Sequence, residues 1–388
     1  MPSASAIFSR RLRSAERCTF LIPPRAAPHP DRNSAPPPDD RDPVVRLQVG
    51  ASPGTLDRMP PAISILMPTY NGALYLRAQL DSIVAQTFGD WELLAIDDGS
   101  SDDTVAILRD YAERDARITL VPSEGNKRQK ARLVELLRLA RGKWIAISDQ
   151  DDVWAPDKLA RLVAAIGDAA LAFGRSDLID SEGRPFGRDL LRVLRSSRRP
   201  DDRLLTVFRP QISGHAMIAV REVMPEGVFD SDEPFDWLIG LLAEFSRGVV
   251  YDHEAVVHHR LHAANSHNDT IAMRINPFLL RPRHFAMWLE RINRSRERLI
   301  AAIDLLAHSD VVRSDVREAF GRLHAVSRCW VASGGRKDRT LVRKAVLREL
   351  RPLAGSLQDF RRAARNVDVA VLGEWHPRVL FKAYKIYS

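Results

Sequence analysis

Asp149, Asp151 and Asp152 stand within four residues of one another, around Gln150. Three carboxylates crowded into one turn repel one another unless a cation or hydrogen-bond donors neutralise them. Asp149 and Asp151, two apart, can both reach one hard divalent ion. Mg2+ or Mn2+ takes such ligands and shares them with a diphosphate. Two further polar clusters follow apolar runs in the same way. They are Pro68-Thr69-Tyr70-Asn71-Gly72 and Asp97-Asp98-Gly99-Ser100-Ser101-Asp102. In an open α/β sheet, ligands bind outside the carboxyl ends of the strands, so clusters in this position converge on one edge. Asp102 and Asp103, just before Val105, also suit the cap of a helix. GxxxxGK[ST] is absent and no predicted strand leads into GxGxxG, so a nucleotide here is not held by a glycine-rich phosphate loop.

The elements that must position these clusters are legible as a change of period. Ile63–Met67 is a short buried strand stopped by Pro68. Leu76, Leu80, Ile83 and Val84 then recur at helical spacing. Strands over 93–96, 118–121, 144–147 and 171–173 alternate with helices over 105–112, 133–140 and 158–166. That alternation predicts an α/β fold with a mainly parallel sheet and helices on both faces. Leu289, Ile292, Leu299, Ile300, Ile303 and Leu306 open a helical C-terminal part, continued at 341–350 and 357–364. The expected organisation is a disordered proline-rich leader over 1–60, a catalytic domain over 61–270 and a basic helical region over 271–388. Met59 stands just before the first strand and is the expected true start.

The chain of 388 residues, 45% hydrophobic and 28% charged, is long enough for two domains or one large one. It holds no stretch of ~18 uninterrupted apolar residues, which disfavours synthases that thread their product through their own helices. Cys18 and Cys329 are its only cysteines, so neither a disulfide framework nor a cysteine-based zinc site is expected, and a cytoplasmic location is the default. The net charge of +8 is unevenly spread: +3 over 1–60, −8 over 61–270 and +13 over 271–388. An acidic body argues against nucleic acid as a partner. A basic tail suits the cytoplasmic face of an anionic membrane, although an ordinary core helix with a solvated charged face would read the same way.

The motifs, in order, resemble family 2 glycosyltransferases of the GT-A fold over residues 61–268. Ile63–Asn71 is similar to the family's opening strand and donor turn, Ser82-Ile83-Val84-Ala85-Gln86-Thr87-Phe88 to its first-helix signature, and Ile96–Thr104 to its base- and ribose-binding loop. Ser148-Asp149-Gln150-Asp151-Asp152-Val153-Trp154 resembles its metal-binding DxD motif, in the form seen in rhamnosyltransferase-like members. Ser213–Met217 resembles the acceptor-side glycine loop, Phe235–Leu238 the segment bearing the catalytic base, and His259–Asn265 the YRxHxxN segment. The resemblance implies an inverting transfer of one sugar from a dTDP- or UDP-linked donor, dTDP-L-rhamnose or a UDP-sugar, to a saccharide or lipid-linked acceptor in cell-surface polysaccharide synthesis. It implies Asp236 as base. Pro68, Thr69, Tyr70, Asn71, Asp97, Asp98, Asp149 and Gly214 would bind the donor. Asp149, Asp151, Asp152 and His262 would meet Mg2+ or Mn2+. Ser327-Arg328-Cys329-Trp330 does not match the QxxRW of polymerising members.

Three positions depart from the family pattern. Arg132-Leu133 stands where Asn and an aromatic are common, His259 where Tyr is usual, and His215 where a small residue or Cys is common. These departures motivate an alternative, a catalytically silent nucleotide-sugar-binding or scaffold member of the same fold.

Overall fold

The computed structural model describes residues 59–193, 203–208, 212–262, 284–332 and 339–372. The proline-rich segment 1–58 lies outside them. The element order begins β1 (Ile63–Thr69), α1 (Ala73–Val84), β2 (Trp91–Asp97), α2 (Thr104–Arg114), β3 (Ile118–Val121), α3 (Arg128–Leu139), β4 (Trp144–Ile147). It continues β5 (Val153–Trp154), α4 (Lys158–Ile166), β6 (Leu171–Ile179), β7 (Pro185–Asp189), β8 (Met217–Val220), α5 (Phe235–Phe245), β9 (Val249–Arg260). Helices α6 (His284–His308), α7 (Ser314–Ala332), α8 (Arg339–Leu350) and α9 (Leu357–Val367) follow.

The described strands form one sheet in the order β3-β2-β1-β4-β8-β6-β9-β5, with β7 paired to β6. The β3-β2-β1-β4 half is parallel, as the strand–helix alternation requires. The second half is woven differently. β8 runs antiparallel to both β4 and β6, β9 runs parallel to β6, and β5 closes the edge antiparallel to β9. β1 continues through Pro68 to Thr69 rather than stopping. Its pairing with β4 ends at Leu66, so the missing N–H of Pro68 costs no ladder bond on that side.

Alternation along the strands sorts two cores. Ile63, Ile65, Met67, Leu93 and Ala95 face α1, α2 and α4, where Leu76, Leu80, Leu108 and Leu162 are fully buried. Leu66, Leu94, Ile96, Ile145 and Ile147 face the other way, against Leu133 and Leu137 of α3 and Trp237, Leu241 and Phe245 of α5. The C-terminal helices belong to this second core. Leu299, Ile303 and Leu306 of α6, Phe320 and Leu323 of α7, and Val346 and Leu350 of α8 are buried in it. The apolar stripe of α6 over these residues therefore covers the protein's own body. No described helix is long and apolar enough to cross a membrane.

One glycine sets the register that carries β9 to the site. Between Gly174 and Arg175 the β6–β9 pairing shifts, so that Gly174 faces Asp252 and Arg175 faces Val256. A Cβ on Gly174 would lie 1.9 Å from the Ala255 carbonyl oxygen, an approach only glycine permits. Gly174→Ala is expected to lower the thermal midpoint by several degrees, the ordinary result of overpacking at about 1–3 kcal/mol or more. Gly227→Ala, with nothing within 4 Å of its Cβ, should leave the midpoint unchanged in the same calorimetric scan.

Candidate active site

The strand ends meet through main-chain clamps. Gln150 brackets Tyr70: its Oε1 accepts from the Tyr70 N–H at 2.9 Å and its Nε2 donates to the Tyr70 carbonyl at 3.0 Å. Asn71 sits at φ +47, a left-handed conformation that Asn tolerates. There its N–H donates to Ser100 Oγ at 2.8 Å and its Oδ1 accepts from the Ser101 N–H at 2.8 Å. The Gly72 N–H donates to Thr104 Oγ1, and the Ala73 N–H to Asp102. The turn after β1 is thus bonded to both acidic loops beside it.

The loop after β2 spends its carboxylates on its own shape. Asp97 accepts from the Thr69 hydroxyl, the Gly99 and Ser100 N–H groups and the Ser100 hydroxyl at 2.5–3.2 Å. Asp98 accepts from the N–H groups of Lys127 and Arg128 at 2.7 and 2.8 Å and from Arg132 Nε at 2.8 Å. Burial pushes the Asp98 carboxyl up, but these donors and the Arg132 charge win and hold it below the ordinary carboxylate range. Arg132 itself is fully buried and also donates to Glu135 and to the Glu124 and Gly125 carbonyls.

The residues around the acidic turn after β4 are fixed from α1. Gln79 Nε2 donates to Ser148 Oγ at 2.7 Å, Ser82 Oγ accepts from the Trp154 N–H at 3.0 Å, and Gln86 bonds Ala155 and Leu159. The polar letters of the first-helix signature are therefore the brackets of the acidic turn. β9 holds it from the other side. His259 Nδ1 and the Arg260 N–H donate to Asp152 Oδ1 at 2.9 and 3.1 Å. Arg260 Nε donates to the Asp151 carbonyl, its Nη1 to the Asp180 and Ser181 carbonyls, and its guanidinium lies over Tyr75. His262 Nε2 meets Asp151 Oδ2 at 2.8 Å, its ring against Tyr75.

The electrostatics are those of an acidic cluster balanced from within. Burial pushes the Asp152 carboxyl up, but His259 and His215 beside it, with two hydrogen bonds, bring it down to about 2. Burial pushes the His259 imidazole down, and Asp152 with its acidic neighbours reverses this to about 9. Asp151 is raised, first by burial and then by Asp152 and Asp149, with His262 only partly offsetting them. Lys158, fully buried, donates from Nζ to the His215 carbonyl at 2.8 Å, and burial depresses it well below an ordinary lysine.

These residues fit a divalent cation. The Asp149 and Asp151 side chains stay partly exposed, at 30% and 15%, and burial first, then Asp152 and Asp149, raises the Asp151 carboxyl. The buried Asp152 Oδ2 has no hydrogen-bond partner among the described residues. Asp152, His215 and His259 also bring ligand atoms within 4.8 Å of one another. The two rings are stacked at 4.6 Å and 4°, however, so one ion cannot lie in the plane of both.

Asp236 stands in the first turn of α5 and accepts the Trp237 N–H at 2.8 Å. Gly214 backs onto it: a Cβ there would be 3.2 Å from the Phe235 ring and 3.7 Å from Asp236 Cβ. The next residue, His215, places Nδ1 3.4 Å from Asp149 Oδ2. One turn thus joins Asp236 to the acidic cluster. Lys130 Nζ donates to the Ser231 and Glu233 carbonyls just before Asp236, and so ties that loop to α3. Sequence reasoning missed Gln150, Lys130, Lys158 and Ser176. It saw His215, His259 and Arg132 as departures without their partners.

Residues 64–224 match the model of glycosyl transferase family 2. Over that span the chain carries a glycosyl transferase family 2 domain. Escherichia coli UDP-Glc:alpha-D-GlcNAc-diphosphoundecaprenol beta-1,3-glucosyltransferase WfgD is 32% identical over 121 residues, 31% of this chain and 47% of that protein. Bacillus subtilis (strain 168) glycosyltransferase TuaG, named for teichuronic acid biosynthesis, is 31% identical over 130 residues, 33% of this chain and 52% of that protein. The chain spans about half the length of these relatives. Staphylococcus aureus TarS 1-349, a solved structure, aligns at 16% identity and TM-score 0.47, covering 83% of this chain and 87% of that one.

Arg132 is a sharp test of how the loop after β2 is held. Arg132→Met is expected to cost about 3 kcal/mol, because it removes the buried cation between Asp98 and Glu135 and leaves them only the Lys127 and Arg128 N–H groups and the Lys127 ammonium. The urea midpoint should fall accordingly while the denaturant slope stays the same.

Proposed function

We propose that the chain is an inverting, metal-dependent glycosyltransferase. It moves one sugar from a nucleotide-sugar donor, dTDP-L-rhamnose or a UDP-sugar, to a saccharide or lipid-linked acceptor in cell-surface polysaccharide synthesis. The observation that carries the reading is the Gly214-His215 turn, which abuts Asp236 on one side and the Asp149–Asp152 cluster on the other. A proton acceptor and a cation-binding cluster joined through one turn are what displacement of a nucleoside diphosphate requires.

Asp236 takes the proton of the acceptor hydroxyl as that oxygen bonds to the anomeric carbon, on the face opposite the breaking bond to the diphosphate. Pro68, Thr69, Tyr70 and Asn71 line the nucleotide side, and Asp97 and Asp98 fix the loop that meets base and ribose. Gly214, with no Cβ, lets its turn pack against Phe235 and Asp236 and lies on the donor side with Asp149. Asp149 and Asp151, with Asp152 and His262 beside them, would hold Mg2+ or Mn2+, which would supply neutralising charge for the departing diphosphate. The clamps from α1 and β9 keep these groups in place before substrate arrives, so that reaction needs little reorganisation. The +13 charge of residues 271–388 suits the anionic membrane surface on which a lipid-linked acceptor would lie.

The test is nucleoside diphosphate release by the full chain over a panel of nucleotide sugars with Mg2+ or Mn2+ and saccharide and lipid-linked acceptors. Turnover of one donor is expected, lowered ~10²-fold or more in Asp236→Asn, the scale of a lost general base, and lost in Asp151→Ala. Nucleotide binding without turnover on any acceptor would instead support the silent scaffold reading. Asp151→Ala turning over like the parent would remove the metal from the account.

A further inference from the structure

His215 is a departure from the family pattern, and its surroundings are unlike those of an ordinary core histidine. It is 6% exposed. Its Nδ1 faces two carboxylates, Asp149 Oδ2 at 3.4 Å and Asp152 Oδ2 at 3.9 Å. Both separations are too long for a good hydrogen bond. The first matches the spacing of neighbouring donor atoms around one divalent ion, about 3–3.5 Å for bonds of 2.0–2.2 Å, and the second is about 0.4 Å wider, a gap that a small side-chain rotation closes. Asp152 Oδ2 is buried and accepts no hydrogen bond from any described residue.

The ring is held in that orientation from three sides. Ser176 Oγ is 2.9 Å from Nε2, the far nitrogen. His259 lies flat against one face at 4.6 Å and 4°. The buried Lys158 grips the His215 carbonyl at 2.8 Å. Orienting partners on the second nitrogen and around the ring are the usual surroundings of a metal-ligating histidine. His259 plays a different part. Its Nδ1 is committed to Asp152 Oδ1, and its plane runs parallel to that of His215.

We infer that Asp149, Asp152 and His215 form an inner cation position with one imidazole nitrogen donor, distinct from the Asp151–His262 pair. A mixed nitrogen and carboxylate set favours Mn2+ or Zn2+ over Mg2+, which prefers oxygen ligands only. The departure at His215 is then the residue that sets this chain's ion preference. The inference rests on the metal-dependent reading above, and its test separates the two.

Mn2+ alone is the probe, added to the full chain, and nitrogen on the bound ion is read by electron spin-echo modulation. The parent should show imidazole nitrogen coupling, and His262→Ala should keep it. His215→Ala should lose it, with Mn2+ affinity lowered ~10-fold or more and its preference over Mg2+ reduced. Should His215→Ala fail to fold, His262→Ala alone decides, because the coupling must persist there. Coupling that vanishes in His262→Ala, or survives unchanged in a folded His215→Ala, overturns the inner position but leaves metal dependence standing. Mn2+ that does not bind the parent also overturns the inner position, and the metal-dependent reading then stands or falls on turnover with the nucleotide-sugar panel.

Discussion

The repulsion among Asp149, Asp151 and Asp152 is the constraint around which the site is arranged. Two like charges 4 Å apart at an effective dielectric near 20 oppose each other by about 4 kcal/mol, and three of them lie in one turn. The protein offsets this with one buried imidazolium, His259, with the Arg260 N–H on Asp152, and with Arg260 bound to the turn's main chain. Asp151 is still raised by burial and its acidic neighbours, and one oxygen of Asp152 accepts no hydrogen bond from a described residue. On the proposed reading, this turn receives a cation that arrives with a diphosphate.

Much of the scaffold serves to hold that turn against its own charge. Gln79 and Ser82 bracket it from α1 with Gln86 just after, and β9, lying between β6 and β5, delivers His259 and Arg260 with His262 just beyond its end. β9 arrives in the right register only because Gly174 lets Ala255 approach. The C-terminal helices pack on the second core with α5, so they underpin the helix that carries Asp236.

The parallel half of the sheet was legible because each of its strands is a short apolar run followed by a helix of clear period. The woven half was not. β9 alternates poorly, with His253, Glu254, His258 and His259 along it, because its pairing shifts and one edge takes only the two-residue β5. The acidic turn announced itself by charge density alone. Its partners did not: His215 and His259 are 44 residues apart and meet only through the order β8-β6-β9. Arg132 read as an oddity until Asp98 supplied its reason. Asp97 read as a group facing ligand, whereas the structure directs its acceptor sites to the loop it shapes.

The central claim is that this turn holds the ion which meets the donor's diphosphate. Crystals of the protein grown with Mn2+ and a nucleoside diphosphate, measured at a wavelength where manganese scatters anomalously, test it directly. An anomalous peak within bonding distance of at least two of the Asp149, Asp151 and Asp152 carboxylates, with diphosphate oxygens on the same ion, is the predicted result. A nucleoside diphosphate bound with no ion at that turn, or with its ion elsewhere, would contradict the account.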